Sequence, residues 1–302
     1  MADLNVNIGS LSMRNPVTVA SGTFGSGREY EDFVDLAGLG AVTTKGVSLG
    51  GWAGNDTPRI CETPSGMLNS IGLQNKGVAH MLAEDLPYLE KAGATVIANV
   101  SGHSMDEYVS VIEALEEGKV DAYEINVSCP NVDAGGMTLG CDPASVAEVT
   151  RMCRDATKRP VIVKLTPNVT DIAEIAKAAE SGGADGISLI NTLLGMAVDA
   201  RTRRPKLARI VGGLSGPAVK PVALRMVWQC YNAVDIPILG MGGICTAEDA
   251  IEFMLCGATA VAVGTANFMD PSSTMKVVAG IGEYCDDNDI VHVTDLIGAL
   301  EC

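Results

Sequence analysis

Two lysines, a group of asparagines and two glycine clusters are the residues of this sequence best placed to do chemistry. Lys45 ends the run Thr43-Thr44-Lys45-Gly46, and Lys164 lies near the end of an apolar run that begins at Pro160. An isolated lysine at such a place usually reaches solvent, whereas two that converge suit an anion or an electron-rich ring. Other apolar runs finish at Ser21-Gly22, at Asn99, at Asn126-Val127-Ser128-Cys129-Pro130-Asn131 and at Asn191-Thr192. One strand-end asparagine is more often a turn or cap residue than a ligand; so many polar ends together point into one bowl. Cys129 alone would read as a small buried hydrophobe, like most cysteines of the chain, but Asn126, Ser128 and Asn131 around it argue otherwise. Gly240-Met241-Gly242-Gly243-Ile244 and Val263-Gly264-Thr265-Ala266 offer bare backbone N–H groups ahead of helix starts, an arrangement that takes a phosphate. Tight helix–strand packing is the structural alternative for any one of these glycines. The phosphate belongs either to a substrate or to a flavin mononucleotide.

Eight short β-rich runs must position these groups: 16–21, 41–46, 95–102, 122–129, 160–166, 186–192, 237–243 and 260–266. They alternate with amphipathic helical stretches, which predicts a parallel sheet, and eight is the number that closes a (β/α)8 TIM barrel, an α/β fold. Such barrels carry their active site at the C-terminal ends of the strands, where the polar residues above fall. Helix starts are marked by Ser104, by Asp142 with Pro143, and by Thr246. Two connections run long, 47–76 and 193–215, and long loops on a compact domain are usually functional. No linker or low-complexity tract divides the chain, so residues 1–302 are expected to form a single domain.

Lys and Arg number 21 against 37 Asp and Glu, a formal charge of −16. That repels polyanions, so nucleic acid is not an expected partner, while an anionic small molecule needs only a few local cations. Nine cysteines, an odd count without CxxC spacing, read as reduced cytosolic thiols and predict no metal or iron–sulfur site on this chain. The start shows no signal pattern and no apolar run long enough to span a bilayer, so a soluble, cytoplasmic protein without membrane contact is expected. His80, His103 and His292 lack ligand spacing, the methionines read as packing, and Arg201-Thr202-Arg203-Arg204 reads as a solvated loop or as a contact for an acidic partner.

The motif N-x-S-C-P-N at 126–131 resembles the active-site signature of class 1 dihydroorotate dehydrogenases. The likeness continues, in order, through Thr43-Thr44-Lys45-Gly46, Asn69-Ser70-Ile71-Gly72-Leu73-Gln74-Asn75, Ile190-Asn191-Thr192-Leu193-Leu194-Gly195-Met196 and Gly212-Gly213-Leu214-Ser215-Gly216-Pro217. It therefore covers nearly the whole chain. The runs N-T-L-L-G-M and G-L-S-G-P-A-V-K-P are similar to the B type, whose catalytic subunit carries FMN and works beside a subunit with FAD and a [2Fe-2S] cluster that passes electrons to NAD. The resemblance implies an oxidoreductase of de novo pyrimidine biosynthesis that turns dihydroorotate into orotate, a homodimer of this chain completed to a heterotetramer by that partner. The A type, a fumarate-using homodimer, is the nearest alternative; another FMN barrel acting on pyrimidines and a flavin-free phosphate-binding barrel are further ones.

By that resemblance Cys129 is the base that takes a proton from dihydroorotate. Orotate would be held by Lys45, Asn69, Gly72, Leu73, Asn126, Asn131, Asn191 and Thr192. Asn amides suit it because each donates and accepts, matching alternating N–H and C=O groups. FMN would take Ser21, Gly22, Thr44, Lys45, Asn99, Asn126, Lys164 and Ile190, with its phosphate on Gly216, Gly242, Gly243, Gly264 and Thr265. Lys164 is charged to stabilise a reduced flavin. Leu139 and Cys141 stand where the B-type lid has an aromatic residue and a threonine, and Lys76 stands where proline is common. These departures touch the lid, not the chemistry.

Overall fold

The computed structural model describes residues 2–128 and 139–301. Eight parallel strands form its central sheet: β1 (Val17–Val19), β2 (Val42–Thr43), β3 (Val96–Val100), β4 (Ala122–Asn126), β5 (Val161–Lys164), β6 (Gly186–Leu189), β7 (Ile238–Met241) and β8 (Ala260–Val263). Their order runs β1-β8-β7-β6-β5-β4-β3-β2, so sequential strands are neighbours and the sheet curls until β1 and β2 meet. No ladder joins that last pair. Instead the Thr18 and Thr43 hydroxyls lie 3.1 Å apart, and Gly40 N–H donates to the Val17 carbonyl at 2.9 Å. The result is a nearly closed (β/α)8 barrel, as the eight-run pattern predicts.

Each barrel strand is buried on both faces, which is why its sequence reads as a near-continuous aliphatic run instead of alternating. The helices between them start where their caps predict. Ser104 accepts from Glu107 N–H ahead of Met105–Leu115, Asp142 accepts from Ser145 N–H ahead of Pro143–Ala156, and Thr246 forms a reciprocal capping box with Asp249 ahead of Ala247–Leu255.

Both barrel ends carry additions that the eight-run pattern does not reveal. At the N-terminal end a hairpin, Val6–Ile8 with Leu11–Met13, turns through Gly9 and Ser10. Ile8 lies against Gly186 at the start of β6, and Met13 against Gly40 ahead of β2, so the hairpin plugs the floor. Three-residue strands are too short for their alternation to stand out in the sequence.

At the C-terminal end the two long connections pair with each other. Leu193–Met196, Val211–Ser215, Gly66–Asn69 and Ile60–Thr63 make one antiparallel four-stranded sheet in that order. Asn168 Oδ1, just beyond β5, accepts from Leu194 N–H at 2.9 Å, and Thr265, just beyond β8, donates its hydroxyl to Ser215 Oγ at 2.8 Å. This second sheet is thereby fastened to the rim as a roof. The Arg201–Arg204 segment is not an irregular loop: Val198–Asp199 pairs with Arg204–Pro205, and Asp199 accepts from Arg201 and Thr202 N–H in the turn. It remains exposed, as its charge demands. No described helix is long and apolar enough to cross a membrane.

Glycine at 66 is required by the roof, because a Cβ there would lie 2.2 Å from the Ser215 carbonyl oxygen. Gly66→Ala is therefore expected to destabilise the protein by about 2 kcal/mol, the scale of a forced backbone shift with a broken strand contact. Gly50→Ala, with nothing within 4 Å of the added carbon, should stay within about 0.5 kcal/mol when both variants are compared by urea titration.

Candidate active site

The lateral register of the barrel builds the site from the inside outward. Asn99 on β3 is level with Glu124 on β4, Asn126 on β4 is level with Lys164 on β5, and Lys164 is level with Ser188 on β6. Parallel neighbours in register share a face, and residues two apart on one strand do too. Five polar side chains thus meet in the top of a barrel that is otherwise largely apolar.

Glu124 is their common partner. Fully buried, its carboxylate accepts from Asn99 Nδ2 at 2.5 Å and from Ser188 Oγ at 2.7 Å, and it pairs with Lys164 Nζ at 3.5 Å. Neither Glu124 nor Ser188 stands out by strand-end position, since both lie within their runs. The signal that identifies Glu124 is a charge inside a strand buried on both faces. Asn99 N–H also donates to Thr44 Oγ1 at 3.2 Å, while its Oδ1 is buried without a hydrogen-bond partner among the described residues.

Lys45 lies just beyond the end of β2. Burial holds its ammonium below the ordinary lysine value, and the like charges of Lys164 and Arg59 push it further the same way. Arg59, on the approach to the roof strand Ile60–Thr63, is fixed by donating to Gln74 Oε1 at 2.6 Å and to the Asn55 carbonyl at 3.4 Å. It escapes strand-end reasoning because the roof, not the barrel, carries it. Three cations crowd here on a chain of net charge −16. Lys164 is already paired with Glu124, so the like-charge repulsion felt by Lys45 would be relieved by a further anion.

Above Lys164 the β4 exit is tightly ordered up to Ser128. Asn126 Oδ1 accepts from Ser128 Oγ at 2.5 Å and Ser128 N–H at 3.3 Å, and its carbonyl accepts from the Tyr108 hydroxyl at 2.8 Å. Asn191 Nδ2 in turn donates to Ser128 Oγ. Asn126 and Asn191, ends of different strands, are joined through one serine. Cys129 and Asn131 lie outside the described residues. Where the described residues resume, Leu139 is buried and Cys141 faces the Asn168 carbonyl at 3.8 Å. Lys76 is exposed.

The roof brings in the remaining polar candidates. Asn69 Nδ2 donates to the Gly213 carbonyl at 3.3 Å, Thr192 offers its carbonyl to Asn168 Nδ2 at 3.0 Å, and Gly72 and Leu73 turn the chain with φ of 75° and 51°. A left-handed leucine is uncommon and marks a backbone position held by its surroundings. Asn168 was not singled out by the sequence, yet it ties β5 to the segment after β6.

The glycines gather on the opposite side. Gly216, Gly242 and Gly243 all have positive φ, and a Cβ on Gly243 would lie 2.9 Å from the Gly216 carbonyl oxygen. A Cβ on Gly242 would press on Ile190 at 3.2 Å, and one on Gly216 would come within 3.6 Å of Thr265. Gly264 and Gly22 differ: a Cβ on Gly264 would meet only Ala20 at 3.4 Å, and one on Gly22 nothing within 4 Å. Bare backbone at the ends of β7 and β8, with open space beside Gly264, suits a phosphate. Ser21 is buried next to Gly22.

Comparison with known proteins fits this geometry to a family. Residues 3–284 match the dihydroorotate dehydrogenase family. The chain belongs to that family. Among its relatives, the protein named dihydroorotate dehydrogenase B (NAD(+)), catalytic subunit, from Alkaliphilus oremlandii is 57% identical over 298 residues, 99% of either chain. Proteins of the same name from Desulforamulus reducens and Bacteroides fragilis are 56% and 53% identical, over 98% and 100% of either chain. Burial pushes the thiols of Cys153 and Cys230 up to about 12, which leaves them inert packing groups.

Lys45 gives a pH signature. Its folded-state pKa lies below the unfolded value, so ligand-free protein carries a penalty at neutral pH. That penalty is relieved as pH rises from the lowered value towards about 10.4. Lys45→Met should raise the thermal midpoint of ligand-free protein at pH 7 and flatten its rise towards pH 10, as read by thermal unfolding across pH.

Proposed function

We propose that this chain is the FMN-bearing catalytic subunit of a class 1B dihydroorotate dehydrogenase, folded as one domain, which oxidises (S)-dihydroorotate to orotate in pyrimidine biosynthesis and passes the electrons through a partner subunit to NAD. The observation that carries the reading is the cation group Lys45, Lys164 and Arg59 beside the asparagines, facing the glycines across one barrel mouth. Family membership narrows the anion to dihydroorotate, and the shared name of the relatives favours the B type over the fumarate-using A type.

The donor set fits the cofactor. Gly216, Gly242, Gly243, Gly264 and Thr265 would take its phosphate, Gly22 would give room along its length, and Asn99 and Lys164 would meet its polar ring edge. The unpartnered Asn99 Oδ1 supports this, because a buried carbonyl oxygen without a donor is expensive unless a ligand supplies one. When bound, FMN supplies the hydride acceptor.

This chain's own residues do the rest. The substrate carboxylate would rest against Lys45 and Arg59, relieving their mutual repulsion, so binding draws on strain already present. Asn69, Asn126, Asn131, Asn191 and Thr192 would match the N–H and C=O groups of the ring and fix which carbon faces which side. Cys129 would remove the proton from the carbon beside the ring carbonyl, opposite the face from which hydride leaves the neighbouring carbon. A thiol has a pKa of ~8.5, so only a small fraction of the base is thiolate at neutral pH and the step should quicken as pH rises.

Cys129→Ser is expected to leave FMN bound and to slow flavin reduction by dihydroorotate by about two orders of magnitude or more near pH 7. Stopped-flow absorbance of the yellow protein tests this, and near-normal reduction would remove Cys129 from the mechanism. The isolated chain should use NAD poorly, because no G-x-G-x-x-G opens a helix in its sequence. Rapid NADH formation by the chain alone would contradict the partner, and copurification of an iron–sulfur flavoprotein would support it.

A further inference from the structure

We infer that Glu124 is a positioning residue for the cofactor end of the site: its buried carboxylate fixes how Asn99 and Lys164 are presented and how much positive charge Lys164 offers. The inference rests on the reading that FMN lies against Lys164.

The three side chains that Glu124 holds come from three different strands, Asn99 from β3, Lys164 from β5 and Ser188 from β6. One carboxylate therefore sets the lateral positions of polar groups across half the barrel mouth. Its hold on Asn99 also has a direction. Because Nδ2 is committed to Glu124, the amide must turn its Oδ1 elsewhere, and that oxygen is left as a buried acceptor. Glu124 thus decides that Asn99 meets a ligand as an acceptor. With Lys164 the effect is one of charge. Both side chains are at most 4% exposed, where little solvent screens them. The carboxylate offsets one of three neighbouring cations, leaving Lys45 and Arg59 for an anion.

Stability alone does not account for the pair. Replacing a buried ion pair with well-packed apolar groups is often neutral or stabilising, and the surrounding strand residues are already aliphatic. What an apolar replacement could not do is orient Asn99 or temper Lys164.

Glu124→Gln isolates the charge. A glutamine carbonyl can still accept from Asn99 and Lys164, while its amide donates to the Ser188 hydroxyl, which can turn to accept. Without the negative charge, Lys164 should favour the more negative form of the cofactor. The affinity ratio of reduced over oxidised FMN should then rise by about tenfold, about 30 mV for a two-electron couple. The readout is anaerobic equilibration of FMN-loaded protein with a reference dye. Glu124→Asp keeps the charge but draws it back by one methylene, and should move the ratio the same way by less. A purely structural role would weaken both redox forms alike and leave the ratio unchanged. An unchanged ratio in folded Glu124→Gln overturns the inference; should that variant fail to fold, an unchanged ratio in Glu124→Asp overturns it. Unmodified protein that takes up no FMN would overturn the functional reading itself.

Discussion

A carboxylate with no solvent contact persists inside a barrel only when its oxygens are met by donors, since an uncompensated buried charge is among the costliest features a fold can carry. Glu124 meets that condition through Asn99, Ser188 and Lys164, and every one of those partners depends on strand register. A slip of one residue in β4 would turn the carboxylate out of the barrel and break all three contacts. The aliphatic layers below and the polar mouth above are therefore coupled: packing sets the register, and the register assembles the polar group. From that group the order spreads outward, through Asn126 and Ser128 to Asn191.

The two ends of the barrel are treated oppositely. A hairpin fills the floor with Ile8 and Met13. The other end is roofed by strands rich in glycine and fastened by single hydrogen bonds to Asn168 and Thr265. Side chains come from the roof as well as from the barrel, and Arg59 shows the consequence: a cation carried by the roof perturbs Lys45 carried by the barrel. The mouth is electrostatically complete only with both parts in place.

Much of this was legible in the sequence. The eight strands, three helix caps and the polar strand ends follow from patterns within about ten residues, the range over which periodicity and capping act. Lys45, Lys164, Asn99, Asn126 and Asn191 were identifiable because each interrupts an apolar run at its end. Glu124 lies one turn of the alternation earlier, so it reads as part of the strand until its partners on β3, β5 and β6 are known. The pairing of 60–69 with 193–215 was illegible for a different reason. Nothing local specifies which distant segment completes an antiparallel ladder, and glycine-rich strands carry a weak β signal. The loops were identifiable as long; their sheet was not. The arginine hairpin at 198–205 belongs to the same class of non-obvious structure.

That roof has a temporal consequence. Asn69 and Gly213, which meet across it, are 144 positions apart in the chain, and contacts of such separation form late because loop closure must be met before they contribute. During synthesis the first half of the barrel emerges with its share of the roof, the hairpin of Ile60–Thr63 with Gly66–Asn69, not yet joined to the other half, and the four-stranded ladder can close only after Ser215 has left the ribosome. Ligand capture is thus deferred until the architecture is nearly finished. A truncated chain ending before that strand would keep many of the barrel's polar residues and still lack the surface that brings them to bear on a substrate.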